Sequence, residues 1–367
     1  MNNNSPLSGM NKIVFTGGGS AGHVTPNLAL IGELRKSGWS VDYIGSAEGI
    51  ERGIVEGTGI PFHAISSGKL RRYIDLKNIS DPFKVVKGVW DAWRVLGRVK
   101  PGVVFSKGGF VTVPVVIASK LRGIPVIIHE SDITPGLANR ISVPLAGRVC
   151  VNFPETVKHI KGDKAVYTGL PIRRELLEGK ADKARMDLDF VRTRPVVLVM
   201  GGSLGAKSIN QAVREALPEL LKEYQVIHIC GKGNVDDTLN GRRGYKQVEF
   251  LTGGLADMLA LADVAVSRAG ATSIFEFLVL KKPMLLIPLS RNASRGDQIL
   301  NAESFARRGF AQVLEEEELN AQTLLARVRD LYANRSAYAA AMEQEAAGFD
   351  ATGKIVGLIR EAAEGRK

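Results

Sequence analysis

The stretch FTGGGSAGH, residues 15–23, combines residue types and a spacing that suit the binding of an anionic or polyhydroxylated ligand. Gly17, Gly19 and Gly22 follow the G-x-G-x-x-G spacing of dinucleotide-binding loops. Glycine permits a tight turn and lets backbone N–H groups approach a phosphate closely. His23, directly behind the last glycine, is not part of that pattern. The ligand predicted for this loop is therefore either a dinucleotide or another anionic or polyhydroxylated molecule.

Two further glycine loops, SKGGF (106–110) and GGSLGA (201–206), also follow apolar runs. One such loop is a weak signal, but three at strand ends predict a shared site, because α/β proteins bind ligands outside the carboxyl ends of their strands. An NAD site also needs an acidic residue at the end of the second strand. The nearest candidate, Asp42, lies inside the run SVDYIG, which weakens the dinucleotide hypothesis.

The segments that must position these loops alternate between short apolar runs and helical patterns. Strands are predicted at 12–16, 40–45, 102–106, 125–129, 148–153, 165–169, 195–202, 224–231, 247–251, 263–270, 283–289 and 310–314. A helix is predicted at 26–38, ending at the C-cap Gly38. Strand–helix alternation predicts parallel sheets covered by helices on both faces.

The chain is predicted to form two Rossmann-like α/β domains that face each other across a cleft. Its 367 residues exceed the roughly 250–300 at which single cores stop growing. The alternation pauses near 169–194, and it restarts with a second strand, glycine turn and helix. The predicted division is 1–169 plus 346–367 for one domain and 170–345 for the other.

The net charge of +11 predicts an anionic partner: nucleic acid, an acidic membrane or a phosphorylated substrate. Cys150 and Cys230 lie in apolar runs, where buried thiols are expected. The N-terminal MNNNSPLSGMNK has no apolar core, so no signal peptide is predicted, and no segment has the ~20 uninterrupted apolar residues of a spanning helix.

Residues 66–100 contain nine Lys or Arg and three Asp, which supplies +6 of the net charge. Within them an apolar stripe has helical spacing, and we expect it to pack inward: Val85, Val86, Val89, Trp90, Trp93 and Leu96. The opposite, solvated face is predicted to carry Lys84, Lys87, Asp91, Arg94 and Arg98. Basic and aromatic residues together suit an anionic membrane surface. The residues predicted to form this membrane patch are Lys69, Arg71, Arg72, Lys77, Lys84, Trp90 and Trp93. Nucleic acid is not expected, because the charge is not interleaved with stacking aromatics.

The segment MDLDF (186–190) matches the D-x-D string of metal-dependent glycosyltransferases. It lies in the charged stretch between the two predicted domains, away from the glycine loops, so we expect a solvated turn.

Six motifs resemble, in this order, those of the MurG family: TGGGSAGHVTPNLAL, SKGGFVTVP, HESDITPGLANR, VMGGSLGAKSIN, SRAGATSIFEF and DQILNAE. Members of this family are UDP-N-acetylglucosamine–N-acetylmuramyl-(pentapeptide) pyrophosphoryl-undecaprenol N-acetylglucosaminyltransferases. The resemblance extends from about Lys12 to the C-terminal helix. It implies a GT-B fold, an inverting transfer without metal or other cofactor, and a lipid-linked acceptor at the membrane.

The resemblance implies a donor site for UDP-GlcNAc. A helix N-terminus and a cation can stabilise a departing pyrophosphate, and Arg268 with Gly270, Ala271 and Thr272 offers both. Glu276 is expected to bind the ribose hydroxyls; a plain first-turn glutamate is the alternative. The remaining residues predicted to bind the donor are Thr16, Gly17, Gly18, Arg173, Ser203, Leu251, Asp297 and Gln298.

On the acceptor side, His23 is the predicted general base, since imidazole titrates near neutral pH. A helix-start histidine that only caps or binds phosphate is the alternative, and Glu130 is a second catalytic candidate. The other predicted acceptor-side residues are Gly19, Gly22, Gly108, Gly109, Phe110, Asp132 and Asn139. Phe110 stands where some relatives have tyrosine, so no hydroxyl is expected there.

The resemblance thus implies transfer of GlcNAc to the C4 hydroxyl of a MurNAc-peptide carried on undecaprenyl pyrophosphate. The enzyme would act peripherally at the anionic cytoplasmic face of the bacterial membrane. The alternatives are a diacylglycerol glycosyltransferase, a UDP-GlcNAc 2-epimerase, and a non-catalytic subunit that binds nucleotide sugars.

Overall fold

The computed structural model describes residues 11–68, 81–202, 205–250, 253–291, 296–346 and 350–365. The chain divides into two compact units. The N-terminal domain comprises Met1–Pro171 and Asp350–Lys367, and the C-terminal domain comprises Ile172–Phe349. The predicted boundaries after 169 and 345 lie two and four residues before these division points.

The strands and helices alternate along the whole described chain. The strands are β1 (Lys12–Thr16), β2 (Ser40–Ser46), β3 (Phe62–Ile65), β4 (Val103–Ser106), β5 (Val126–Glu130), β6 (Arg148–Val151), β7 (Ala165–Tyr167), β8 (Val196–Met200), β9 (Gln225–Ile229), β10 (Tyr245–Val248), β11 (Val264–Ser267), β12 (Met284–Leu286) and β13 (Ala311–Val313). The helices are α1 (Ala21–Lys36), α2 (Ile50–Glu56), α3 (Asp81–Val99), α4 (Thr112–Leu121), α5 (Leu137–Ser142), α6 (Ala181–Asp187), α7 (Lys207–Glu223), α8 (Leu255–Leu261), α9 (Ala271–Val279), α10 (Asp297–Arg307), α11 (Ala321–Ala333), α12 (Arg335–Ala346) and α13 (Ala351–Glu364).

Each domain contains one parallel sheet. The N-terminal sheet has the strand order β3-β2-β1-β4-β5-β6-β7, and the C-terminal sheet has the order β10-β9-β8-β11-β12-β13. Both orders reverse direction beside their first strand, which is the arrangement of Rossmann folds, with a switch point between β1 and β4 and between β8 and β11. The fold class predicted from the alternation, two Rossmann-like α/β domains, is confirmed.

The strands read as apolar runs because helices cover both faces of each sheet. In β1, Ile13, Val14 and Phe15 are all fully buried although their side chains alternate between the faces. Phe15 packs on the side of α1 and α13, and Val14 packs on the side of α3 and α4. Cys150 and Cys230 are buried and unbonded to each other, as expected.

Helix α1 begins earlier than predicted. It starts at Ala21, so Gly22 and His23 lie in its first turn, and Pro26 lies inside the helix rather than at its start. A proline this close to the N-terminus removes only one of the first intrahelical hydrogen bonds, so the helix continues through it. Gly38 follows the C-terminus with φ +80°, as its predicted capping role requires.

Two strands differ most from the prediction, and the ends of the other predicted strands lie within three residues of the observed ends. The edge strand β3 was not predicted, since its four residues FHAI form no apolar run. Strand β10 covers 245–248 instead of 247–251, and Phe250 beyond it is 53% exposed. Asp42 lies within β2, as expected, and its Oδ1 is 2.7 Å from Nε2 of His63 on β3.

Candidate functional site

Two glycine loops meet at the switch point of the N-terminal sheet, after β1 and after β4. The amide of Gly18 donates to the carbonyl of Gly108 at 3.3 Å. A Cβ on Gly109 would lie only 2.3 Å from the Gly18 carbonyl oxygen, and Gly109 has φ +91°. Glycine is therefore required at position 109 by the contact between the two backbones. The third predicted loop, at 201–206, belongs to the other domain.

The residues predicted in these loops differ in how far the protein encloses them. Thr16 ends β1 with its side chain fully buried, and its hydroxyl has no hydrogen-bond partner among the described residues. A Cβ on Gly17 would lie 2.8 Å from the carbonyl oxygen of His23. Gly22 is helical, and Phe110 is half-buried before α4. The Thr16 side chain does not reach the surface.

His23 is held in one orientation by the first glycine loop. Its Nδ1 lies 2.8 Å from the carbonyl oxygen of Gly18 and 3.3 Å from Oγ of Ser20. A carbonyl oxygen only accepts, so Nδ1 carries the proton and Nε2 keeps a lone pair. Burial lowers the pKa of His23, and the nearby Lys107 ammonium lowers it further. The imidazole is therefore neutral at pH 7 and can accept a proton.

Glu130, the second catalytic candidate, is fully engaged by its own loop. Its Oε1 accepts from the amides of Ser131 (2.8 Å) and Asp132 (3.0 Å). Its Oε2 accepts from the amide of Gly136 (3.0 Å) and from Nδ2 of Asn139 (2.8 Å). Four donors use the acceptor capacity of this buried carboxylate. The arrangement fits an organiser of residues 131–139 better than a base, and it gives Asn139 a structural contact.

Lys107 and the side chain of His129 were not predicted as site residues, although both lie beside Glu130. The Lys107 side chain is buried, and its ammonium donates to Oγ of Ser131. Burial lowers the pKa of Lys107 to about 8, against the attraction of Glu130 and Asp132. His129 Nε2 lies 2.7 Å from Oδ1 of Asn152. The motif SKGGF contained the lysine, but its burial depends on the neighbouring strands and could not be read from the motif.

In the C-terminal domain, two predicted donor residues lie together. The Glu276 carboxylate, on α9, is 3.8 Å from the Arg173 guanidinium. Glu276 is buried, whereas a third of the Arg173 side chain is exposed. Burial raises the pKa of Glu276 to about 7, and Arg173 opposes that rise. Gly270 precedes α9, and Ala271 and Thr272 form its first turn, so the predicted helix start is observed.

Arg268 has internal partners. Its guanidinium pairs with the Glu316 carboxylate and donates to Oγ of Ser208 (3.1 Å) and to the carbonyls of Ile287 and Pro288 (3.2 Å each). The side chain is buried. The predicted contact with a pyrophosphate would therefore need these bonds to be exchanged, and the geometry favours a structural role for Arg268.

Other predicted donor residues cluster near α10. Asp297 is its first residue, after Gly296 with φ +84°. Gln298 accepts through Oε1 from the amide of Leu289 at 3.1 Å, which ties α10 to the loop after β12. Ser203 and Leu251 lie outside the described residues.

Among the described residues there is no cluster of His, Cys, Asp or Glu that could hold a metal ion. Asp187 ends α6 and Asp189 lies in the turn that follows, and both are exposed, whereas Phe190 is buried. The expected solvated turn is therefore observed for the two aspartates but not for the whole segment MDLDF.

Comparison with known proteins identifies the family. The family models that match are "Glycosyltransferase family 28 N-terminal domain" over residues 13–151 and "Glycosyltransferase family 28 C-terminal domain" over residues 196–354. A relative from Bacillus thuringiensis subsp. konkukian, UDP-N-acetylglucosamine–N-acetylmuramyl-(pentapeptide) pyrophosphoryl-undecaprenol N-acetylglucosamine transferase 2, is 56% identical over 353 residues, 96% of this chain and 100% of the relative. The chain belongs to the MurG family.

A transferase of the same name from Clostridium botulinum is 60% identical to this MurG-family chain over 329 residues, 90% of the chain and 93% of the relative. The crystal structure of Acinetobacter baumannii MurG has a TM-score of 0.74 and 26% identity, covering 96% and 99% of the two chains. The family and the GT-B fold inferred from the six motifs are confirmed.

One helix of the MurG-family chain, α3, presents aromatic residues to solvent. Phe83 is 76% exposed, Trp90 58% and Trp93 37%, and Val86 between them is also exposed. The rings of Trp90 and Trp93 stack at 5.4 Å. The Arg122 guanidinium lies 3.8 Å above the Trp93 ring and fixes it. Around this apolar face the exposed basic residues are Lys84, Lys87, Arg94 and Arg98.

The predicted inward stripe of α3 is therefore wrong in part. The buried face consists of Gly88, Ala92, Val95, Leu96 and Val99. The predicted stripe is rotated around the helix relative to the buried face, so Val86, Trp90 and Trp93 face solvent. Asp91 was predicted on the solvated face, but it is half-buried and its Oδ2 accepts from the amide of Ser66 at 3.1 Å. Of the predicted membrane patch, Lys69, Arg71, Arg72 and Lys77 lie outside the described residues.

Within the described ranges, no helix is both long and apolar enough to cross a membrane.

Proposed function

We propose that this chain transfers GlcNAc from UDP-GlcNAc to the C4 hydroxyl of MurNAc in MurNAc-pentapeptide-pyrophosphoryl-undecaprenol, a step in peptidoglycan synthesis. The observation that carries the proposal is the 56% identity over 353 residues to a relative that is named for this transfer. A likeness that spans both domains covers the donor half and the acceptor half of such an enzyme.

His23 is the base in this proposal. The acceptor oxygen forms a bond to C1 of GlcNAc, the bond from C1 to the β-phosphate oxygen breaks, and the acceptor proton moves to Nε2 of His23. The reaction inverts the configuration at C1, since a single displacement attacks from the face opposite to UDP. The support is the neutral imidazole with Nδ1 bonded to Gly18.

Glu276 and Arg173 serve the donor. Glu276, once ionised, accepts hydrogen bonds from the two ribose hydroxyls, and Arg173 donates to the pyrophosphate. The start of α9 at Gly270 and Ala271 adds amide donors and the positive end of the helix dipole. Gln298 binds the GlcNAc hydroxyls, with Asp297 beside it.

The transfer proceeds without metal or other cofactor in this proposal. The departing UDP carries one more negative charge than UDP-GlcNAc, because the electron pair of the broken C1–O bond stays on the β-phosphate, and a helix N-terminus with one arginine can stabilise this charge. The support is the solvated geometry of Asp187 and Asp189, the one D-x-D string of the sequence.

The aromatic face of α3 docks the enzyme on the anionic cytoplasmic leaflet, where its lipid-linked acceptor is found. Tryptophans favour the interfacial region of a bilayer, and basic side chains around them are attracted to anionic head groups. The exposed Phe83, Trp90 and Trp93 and the surrounding Lys84 and Lys87 support this peripheral attachment.

The test is a transfer assay with radiolabelled UDP-GlcNAc, a lipid-linked MurNAc-pentapeptide acceptor and EDTA. We expect label in the lipid fraction, in a β-linked disaccharide, at an undiminished rate with EDTA. Release of ManNAc from UDP-GlcNAc without acceptor would instead show an epimerase. Transfer to diacylglycerol would show a different transferase, and UDP-GlcNAc binding without turnover would show a non-catalytic subunit.

A further inference from the structure

A buried carboxylate lies behind the first glycine loop and is not used by the proposed reaction. Glu51, on α2, is fully buried. Its Oε2 accepts from the amide of Gly19 at 3.2 Å. Its Oε1 accepts from the amide of Ser46 at 3.0 Å and from the Ser46 hydroxyl at 2.6 Å. This side chain therefore joins the loop after β1 to the end of β2.

Three glycines make room for this carboxylate. A Cβ on Gly18 would lie 2.5 Å from Oε1 of Glu51, and a Cβ on Gly49 would lie 2.1 Å from the same atom. A Cβ on Gly45 would lie 3.0 Å from Cγ of Glu51 and 2.7 Å from the Phe62 ring. Gly49 has φ −78°, which any residue adopts. A side chain at position 49 would therefore displace the Glu51 carboxylate from its hydrogen bonds, although the backbone there does not need glycine.

The Glu51 carboxylate is charged, and this determines which anion the glycine loop binds. Burial alone would raise the pKa of Glu51, but hydrogen bonds from Ser46, Gly19 and its own amide bring it below the ordinary value. The Gly19 amide thus already binds an anion supplied by the protein. A substrate phosphate at the same amide would meet a like charge at hydrogen-bond distance, so the loop is not a phosphate cradle at Gly19.

The same loop holds the base. Gly18, one residue before the Glu51 contact, accepts the proton of His23 Nδ1 through its carbonyl oxygen. We propose that Glu51 is a positioning residue, which fixes the loop so that the Gly18 carbonyl selects the His23 tautomer with a lone pair on Nε2. This inference rests on the proposed role of His23 as base.

Glu51→Gln and Gly49→Ala test the proposal, with Glu56→Gln and Gly53→Ala as controls. Glu56 is exposed on the same helix and pairs with Arg52, and a Cβ on Gly53 would meet nothing within 4 Å. Glu51→Gln removes the negative charge of the side chain. Gly49→Ala displaces the carboxylate but leaves its charge in place. We expect kcat to fall about tenfold to a hundredfold in both test variants, with unchanged UDP affinity and wild-type behaviour in both controls.

The pH dependence of kcat distinguishes a positioning role of Glu51 from a general loosening of the glycine loop. The charged groups that face His23 are Lys107 after β4, Asp132 after β5 and Glu51 on α2. Lys107 favours the neutral imidazole, and the two carboxylates favour the protonated one. Loss of the Glu51 charge therefore moves the acidic limb of the kcat profile to lower pH. In Gly49→Ala, which keeps the charge, this limb moves less.

The tautomer can be read without any activity, by ¹⁵N NMR of protein labelled at its five histidines. We expect His23 to carry its proton on Nδ1 in the wild type and both controls, and a mixture of tautomers in Glu51→Gln and Gly49→Ala. An unchanged tautomer with wild-type kcat in these two variants overturns the inference. A wild type that transfers no GlcNAc but shows the expected tautomers overturns the proposed function alone. If Glu51→Gln does not fold, Gly49→Ala decides by the same two readouts.

Discussion

His23 donates its Nδ1 proton to the carbonyl oxygen of Gly18 across 2.8 Å, from the first turn of α1 back to the loop that precedes it. This bond leaves Nε2 as the only basic nitrogen of the ring. It also separates two functions of His23, because asparagine can reproduce the donor but not the base.

We predict that His23→Ala and His23→Asn lower kcat equally, by about 10² to 10⁴, the usual contribution of a general base. The asparagine amide can still donate to Gly18, so the loop stays in place in that variant. Transfer kinetics and UDP affinity by calorimetry check this, and we expect the affinity to stay near that of the wild type. Near-normal kcat in His23→Asn would show that the histidine is needed only for its hydrogen bond.

Glu276 makes donor binding depend on pH. Its pKa is about 7, so the carboxylate fraction rises from roughly a tenth at pH 6 to nine-tenths at pH 8. If only the charged form accepts from the ribose hydroxyls, UDP affinity relative to Glu276→Gln rises about tenfold over this interval. Calorimetry with UDP at both pH values measures the ratio, and comparison with the variant removes the effect of phosphate titration. A matched ligand, 2′,3′-dideoxy-UDP, should show no such rise, and an equal rise for both ligands contradicts the ribose role.

The aromatic face of α3 should control membrane binding. Trp90→Ala or Phe83→Ala removes an exposed ring whose transfer to an apolar phase contributes about 1.5–3 kcal/mol. We expect binding to phosphatidylglycerol vesicles, measured by co-sedimentation, to weaken by at least about tenfold in each variant. Met186→Ala, at a residue 79% exposed in the C-terminal domain, is the control and should bind normally. Equal binding by all three variants would remove α3 from the docking surface.

Two glycines with positive φ should differ in their tolerance of alanine. Gly123 has φ +62° and open space around it, so Gly123→Ala should cost only the left-handed penalty of about 1–2 kcal/mol. Gly109→Ala adds a collision with the Gly18 carbonyl, which would force the two loops apart. Scanning calorimetry should therefore show a larger loss of melting temperature for Gly109→Ala. Gly109→Ala should also lose transfer activity, and Gly123→Ala should not. Equal losses of melting temperature and of activity in the two variants would show that the contact between the loops is unimportant.

Much of the fold could be predicted because parallel strands enclosed by helices are continuous apolar runs. Strand β1 was predicted at its observed bounds for this reason, and β3 was not predicted because its four residues at a sheet edge are only partly buried. The α3 prediction went wrong because its apolar residues occupy more than one helix face. Sequence spacing alone does not show which of these faces packs inward.

Site residues could be predicted where the residue types of a motif indicate their role. They could not be predicted where the role depends on burial and on partners from other segments. The sequence placed His23 and Glu276 in their motifs, but it did not show that Glu130 is bonded on all sides or that Arg268 pairs with Glu316. Glu51 was not predicted, because its contact with the Gly19 amide joins residues 32 positions apart in the sequence. The glycine spacing at 17–22 resembles that of a cofactor-binding loop. The amide of Gly19 in this loop binds the internal Glu51 carboxylate, and the sequence pattern does not show this.

The outward tryptophan pair of α3 has a kinetic consequence for an enzyme with one soluble and one lipid-borne substrate. Once docked, such an enzyme meets its acceptor by lateral diffusion in two dimensions and its donor by diffusion from bulk solution. The degree to which the enzyme is saturated with acceptor then depends on the mole fraction of acceptor in the bilayer and not on the total acceptor concentration. Diluting vesicles at constant composition would leave the rate per bound enzyme unchanged, whereas diluting the acceptor with inert lipid would lower it.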